Sequence, residues 1–227
     1  MHRPLSIAHR GASGHEPENT MAAFEKALSL GCGGIELDVM LSADGVPVVF
    51  HDESAKRLTG IDRLITDLKI SEARALKVMR NHKIPLLDEV IELVSGRCLL
   101  NIEIKSPGAG PTVAKSIKKS IGMKRFGSDI IVSSFDWNVL KYLSEDHPEI
   151  NLGVLTMTDL DLALDFAKFI GAHAIHPHYH LLTLENSKQI RQLGFKNYCW
   201  TVNDLSDIGT IKNYGVDGII TDYPERV

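Results

Sequence analysis

Eight short apolar runs punctuate the chain, and amphipathic stretches separate them along nearly its whole length. The runs are LSIAH (Leu5–His9), GIELDV (Gly34–Val39), CLLNIEIK (Cys98–Lys105), IIVSSF (Ile130–Phe135), LGVLT (Leu152–Thr156), AHAIHP (Ala172–Pro177), NYCWTV (Asn197–Val202) and DGIIT (Asp217–Thr221). Between them lie helical patterns such as TMAAFEKALSLG, LLDEVIELVSG and LDLALDFAKFIG, each closing on a glycine suited to a helix C-cap. This strand–helix alternation predicts an α/β fold, a parallel (β/α)8 TIM barrel. A doubly wound open sheet is the alternative, but no GxGxxG follows an early strand. The 227 residues suit one barrel without remainder, a single domain over 1–227.

One segment breaks the alternation. After the second strand, Asp44-Gly45 signals a hairpin, and VPVVFH would return antiparallel beside LDVML. That pairing brings His51 back to roughly the level of Asp38. The stretch from Glu53 to Pro85 reads as a small insertion capping the barrel mouth, too short and too polar for a separate domain with its own core.

Composition narrows the function. With 44% apolar and 24% charged residues, the chain has an ordinary globular make-up. A net charge of −4 gives no basic face for nucleic acid. The opening MHRPLSIAHRG lacks the apolar core of a signal peptide, and no run approaches the ~18 residues of a membrane span. Stable membrane association is therefore not expected. Cys32, Cys98 and Cys199 are widely spaced with no CxxC pair, and read as reduced core thiols of a cytoplasmic protein. Oligomeric state leaves no trace in the sequence.

Barrel enzymes work at the C-terminal ends of their strands, so polar residues there carry information. Glu36 and Asp38 stand two apart on the second strand and point the same way; Glu103 and Lys105 repeat that spacing on the third. Glu36, Asp38 and Glu103 can converge on a divalent cation, and all-oxygen ligation selects Mg²⁺ or Ca²⁺ over Zn²⁺. The alternative is a structural ion-pair cluster with Lys105 and Arg10, but three acids outnumber those two cations. His9 and His51 are candidates for acid and base, since imidazole exchanges protons near neutrality. Arg10 and Lys105 supply fixed positive charge suited to phosphate oxygens. Trp200 either packs on an alcohol or sugar-like group or closes the barrel top. His176, His178 and His180 are assigned to surface or loop positions. These residues together suit a metal-assisted phosphodiesterase or phosphatase.

The ordered segments HRG (His9–Gly11), PENT (Pro17–Thr20), ELD (Glu36–Asp38), VPVVFHD (Val46–Asp52), EIK (Glu103–Lys105), SSF (Ser133–Phe135), WTVN (Trp200–Asn203) and TDYP (Thr221–Pro224) resemble the glycerophosphodiester phosphodiesterase family. The resemblance spans nearly the full chain. It implies a phospholipase C-like TIM barrel with an insertion after the second strand, and hydrolysis of a small glycerophosphodiester to glycerol 3-phosphate and an alcohol. It implies one divalent cation on Glu36, Asp38 and Glu103, a catalytic pair His9 and His51, and phosphate contacts from Arg10 and Lys105. Two routes stay open, attack by an activated water or by the substrate's own hydroxyl through a cyclic phosphate. A phospholipase acting on membrane lipid and a non-catalytic phosphodiester-binding barrel are the competing readings.

Overall fold

The computed structural model describes residues 3–79, 81–122 and 129–227, so Arg80 of the expected insertion lies outside it. In chain order the elements are β1 (Leu5–Ala8), α1 (Met21–Ser29), β2 (Gly34–Leu41), β3 (Pro47–Val49), α2 (Lys56–Thr59), α3 (Ile70–Ala75), α4 (Leu87–Val94), β4 (Leu99–Ile104), α5 (Gly110–Gly122), β5 (Ile130–Ser134), α6 (Trp137–Asp146), β6 (Asn151–Thr156), α7 (Leu160–Ile170), β7 (Ala174–Pro177), α8 (Leu184–Gln192), β8 (Lys196–Cys199), α9 (Leu205–Tyr214) and β9 (Gly218–Thr221). Among the described residues, β1, β2 and β4 to β9 are parallel, and pairing of β1 with both β9 and β2 closes them into a ring. The expected (β/α)8 TIM barrel is the fold observed.

Strand alternation sorts the side chains into two cores. Ile35, Leu37 and Val39 of β2 belong to the large cluster between sheet and helices, with Phe24, Val90, Leu100, Ile102 and Val132. Each fully buried side chain of this size contributes about 1.5–3 kcal/mol relative to exposure. The opposite face of the sheet fills the lumen with Ile7, Ile131, Ala174, Tyr198 and Ile220. Helix ends follow local chemistry. The Thr20 hydroxyl caps α1 by accepting from the Ala23 N–H, and Gly171 ends α7 in the left-handed conformation.

The hairpin forms as expected, with Val39 opposite Val49 and Leu41 opposite Pro47. The register brings His51 to within one residue of the level of Asp38. Phe50 lies level with Asp38 and donates its N–H to the Asp38 carbonyl at 3.0 Å, so His51 follows just beyond the pairing. The segment after it is also less polar in effect than its composition suggests. Leu58, Ile65, Leu68, Val78 and Ile84 pack into a cluster with Met40, Val48 and Phe50 of the hairpin. Cys32, Cys98 and Cys199 are free; Cys32 and Cys199 are buried, and the partly buried Cys98 packs against the large core. Among the described residues no helix is long and apolar enough to cross a membrane.

Candidate active site and metal centre

The pairing of β2 with β4 sets Asp38 opposite Glu103 and Glu36 opposite Asn101. Alternation turns Glu36, Asp38 and Glu103 inward, and one oxygen from each lies within 4.8 Å of the others. Glu36 and Asp38 are almost fully buried. Burial first, then the Asp38 charge, pushes the Glu36 carboxyl up to about 8, and the same causes raise Glu103. Glu36 Oε2 accepts the Arg10 backbone N–H at 2.7 Å, while its Oε1 is buried without a partner. An idle buried oxygen beside two further acids is a donor set that a hard divalent cation satisfies. The residues present fit such an ion.

Arg10 and Lys105 flank the triad. Lys105 Nζ donates to Glu103 Oε1 at 2.8 Å and stands 3.9 Å from Asp38 Oδ1. Arg10 Nη1 donates to Glu18 Oε1 at 2.7 Å, and Nε lies 3.3 Å from Asp38 Oδ2. The turn that delivers Arg10 is built for it. Arg10 has a φ of 53° and Gly11 a φ of 79°, and a Cβ on Gly11 would lie 2.7 Å from the Ala23 backbone. Only glycine fits there, which gives HRG a physical meaning.

Both histidines are held through Nδ1 by an aspartate. Asp222 Oδ1 lies 2.7 Å from His9 Nδ1, and Asp52 Oδ1 lies 2.7 Å from His51 Nδ1. Each carboxylate engages Nδ1 and so fixes a ring orientation, leaving Nε2 as the other ring nitrogen for proton exchange or a ligand. His51 Nε2 is 3.4 Å from Lys105 Nζ. Burial disfavours the imidazolium at both rings, but the outcomes differ. At His9 the Asp222 hydrogen bond and the Glu36 charge outweigh burial, so the pKa is raised. At His51 burial, with help from Arg10 and Lys105, outweighs Asp38 and Asp52, so the pKa is lowered.

Several residues here were not singled out from the sequence. Asn19 donates from Nδ2 to Asp38 Oδ2 at 2.9 Å, from a left-handed backbone. Asp222 is itself held by Ser13 Oγ (2.9 Å) and Asn203 Nδ2 (2.7 Å), and is depressed to about 2 despite burial, first by the His9 hydrogen bond. Trp200 stands at the rim, donating Nε1 to the His176 carbonyl at 2.8 Å and meeting Phe135 and His178 edge to face. His176 is not a surface residue. It is fully buried in the lumen against Tyr198, and burial lowers its pKa to about 3. Alternation from Ala174 carries that signal, since both share one face of β7. His178 is partly buried against Trp200 rather than free in a loop.

A model of the Glycerophosphoryl diester phosphodiesterase family matches residues 9–226. The chain belongs to that family. A glycerophosphodiester phosphodiesterase of Caldanaerobacter subterraneus is 37% identical, the match covering 99% of this chain and 96% of that protein. A Bacillus altitudinis protein of the same description is 35% identical over 97% of this chain and 95% of its own length. Among solved structures, an Oleispira antarctica phosphodiesterase in complex with the product sn-glycerol-3-phosphate superposes with a TM-score of 0.89. That pair is 30% identical and covers 98% of this chain and 94% of the other. A Thermotoga maritima glycerophosphodiester phosphodiesterase, 34% identical, gives 0.84 over 99% of this chain and 97% of the other.

Proposed function

We propose that this protein hydrolyses small, soluble glycerophosphodiesters to glycerol 3-phosphate and an alcohol. The observation that carries the proposal is convergence at one barrel mouth. An acidic triad with an unpartnered Glu36 oxygen meets two aspartate-anchored histidines, Arg10 and Lys105. Family membership supplies the glycerophosphoryl half of the substrate.

Glu36, Asp38 and Glu103 would hold one divalent cation, Mg²⁺ or Ca²⁺. When bound, that cation withdraws charge from the phosphoryl oxygens. Arg10 and Lys105 bind the phosphate from its other sides, the guanidinium through its fork and the ammonium as a point charge. Displacement at phosphorus sets the entering and leaving oxygens roughly in line, so two separate groups must manage the two protons. His51, with its depressed pKa, is neutral near pH 7 and takes the nucleophile's proton at Nε2. His9, whose pKa is raised by the Asp222 hydrogen bond and the Glu36 charge, is the better placed of the two to give a proton from Nε2 to the leaving oxygen. Asp52 and Asp222 keep each ring turned toward the phosphate and stabilise the imidazolium form. Trp200 and Phe135 form an aromatic wall on which an alcohol or glycerol group can pack.

Incubation with glycerophosphocholine, followed by ³¹P NMR, tests the reading. It predicts conversion of the diester signal to glycerol 3-phosphate with release of choline. Appearance of phosphocholine would show cleavage of the other ester bond, and an unchanged diester would remove the activity.

A further inference from the structure

Arg57 does not enter the cluster of reacting groups. It sits on α2 of the insertion with its side chain 47% exposed. Both edges of its guanidinium are nonetheless committed. Nε and Nη2 donate to Asp52 Oδ2 and Oδ1 at 2.6 and 2.9 Å. Nη1 and Nη2 donate to Glu18 Oε2 and Oε1 at 2.8 and 2.7 Å. The choice of oxygens is informative. Asp52 Oδ1 is the atom that holds His51 Nδ1, and Glu18 Oε1 is the atom that accepts from Arg10 Nη1. One guanidinium nitrogen, Nη2, therefore stands between the carboxylate that aims His51 and the carboxylate that aims Arg10.

We propose that Arg57 is a positioning residue that locks Arg10 and His51 into one shared geometry. This rests on the phosphodiesterase reading for what those two residues do. The physical case is torsional. Asp52 and Glu18 are short-tethered carboxylates on separate loops, and each can rotate while keeping a single hydrogen bond. A bidentate fork on each removes that freedom and fixes the two loops relative to one another. The base of the fork is itself fixed, because Leu58, the next residue, is buried in the cluster shared with the β2–β3 hairpin. The insertion thus reaches the chemistry through one side chain. Lysine would keep the charge but has a single nitrogen, which cannot address two carboxylate edges. Lys56, the preceding residue, offers the control. Among the described residues its ion pair is with exposed Asp62 at 2.7 Å, not with Asp52 or Glu18.

The test is steady-state kinetics of the metal-loaded protein on glycerophosphocholine for Arg57→Ala, Arg57→Lys and Lys56→Ala, with thermal unfolding of each. Loss of partners that orient reacting groups typically costs ~10–100-fold, so kcat should fall by about that factor in both Arg57 variants, with KM within about threefold. Lys56→Ala should match the wild type, and methylguanidinium should restore Arg57→Ala saturably. Full activity of Arg57→Lys would show that charge alone suffices and overturn the proposal. So would a loss confined to KM, or an Arg57→Ala defect that methylguanidinium leaves untouched. If Arg57→Ala does not fold, Arg57→Lys decides alone. A wild type inactive on every diester would instead defeat the phosphodiesterase reading. Positioning is then read from the His51 Nδ1–H proton resonance, which should be sharp in the wild type and lost in Arg57→Lys; an unchanged resonance would refute it.

Discussion

At the scale of single residues, the site couples a destabilised cluster to a function. Glu36 has its pKa raised by burial and by Asp38. An acid raised in the folded state favours folding below its unfolded pKa, and that contribution is lost as pH rises through the folded value of about 8. Near neutrality the charged form therefore opposes folding unless a cation balances it. Glu36→Gln should stabilise the metal-free protein at pH 7 in thermal melts while weakening its response to added metal. A Glu36→Gln protein less stable than the wild type in chelator would contradict this balance. The histidines carry the second prediction. His9→Ala and His51→Ala should each lower kcat by about 10²-fold or more, as acid–base groups typically contribute. His51 must be neutral and His9 protonated, so kcat/KM should decline as pH falls through the lowered His51 pKa and again as it rises through the raised His9 pKa. The acidic limb should vanish from His51→Ala and the basic limb from His9→Ala; the reverse assignment would exchange the two roles. With an activated leaving group such as p-nitrophenolate, His9→Ala should recover more than His51→Ala.

At the scale of elements, the turns and the hairpin decide whether those residues meet. Gly11→Ala forces a side chain into a left-handed turn and against the Ala23 backbone, and strain of this kind costs about 1–3 kcal/mol. It should lower both urea stability and kcat, because the same turn carries His9 and Arg10; an unchanged kcat would separate the turn from the site. Phe50→Ala removes a fully buried ring that joins hairpin and insertion, and losses of this type run to about 3–5 kcal/mol. These two elements also show what was readable beforehand. Strands were legible because their apolar runs are continuous, and the inward set Glu36, Asp38 and Glu103 followed from a period of two. Glu18, Asn19, Asp52 and Asp222 were not assigned roles, since they lie on loops whose partners are distant in sequence and follow no period. The cluster around Leu58 and Val78 was hidden because its apolar residues are spaced by charges and borrow Phe50, Val48 and Met40 from another element. His51 lies one residue past the partner of Asp38 because Leu41 already faces Pro47, so five residues, Ser42 to Val46, make the connection.

At the scale of the whole molecule, the barrel supplies rigid strand ends, and we propose that the segment from 53 to 85 supplies a lip beside them. If that lip caps the mouth, the glycerophosphoryl half is held by Arg10, Lys105 and the cation, and the alcohol half stays partly open. Glycerophosphocholine, glycerophosphoethanolamine and glycerophosphoglycerol should then differ in kcat/KM by no more than about tenfold, or ~1.4 kcal/mol of transition-state binding. Phosphatidylglycerol in mixed micelles should be a poor substrate, since its acyl chains extend from the enclosed half; faster turnover of the lipid would favour a membrane phospholipase. The claim on which all of this depends is that the triad of Glu36, Asp38 and Glu103 holds a cation needed for phosphodiester cleavage. The most direct measurement is glycerol 3-phosphate release from glycerophosphocholine after treatment with EDTA, followed by titration of Mg²⁺ or Ca²⁺ back into the chelator-free protein. Activity should fall to the background rate and return saturably in the wild type, and Glu36→Gln should need far more metal for any recovery. Undiminished turnover in EDTA would contradict it.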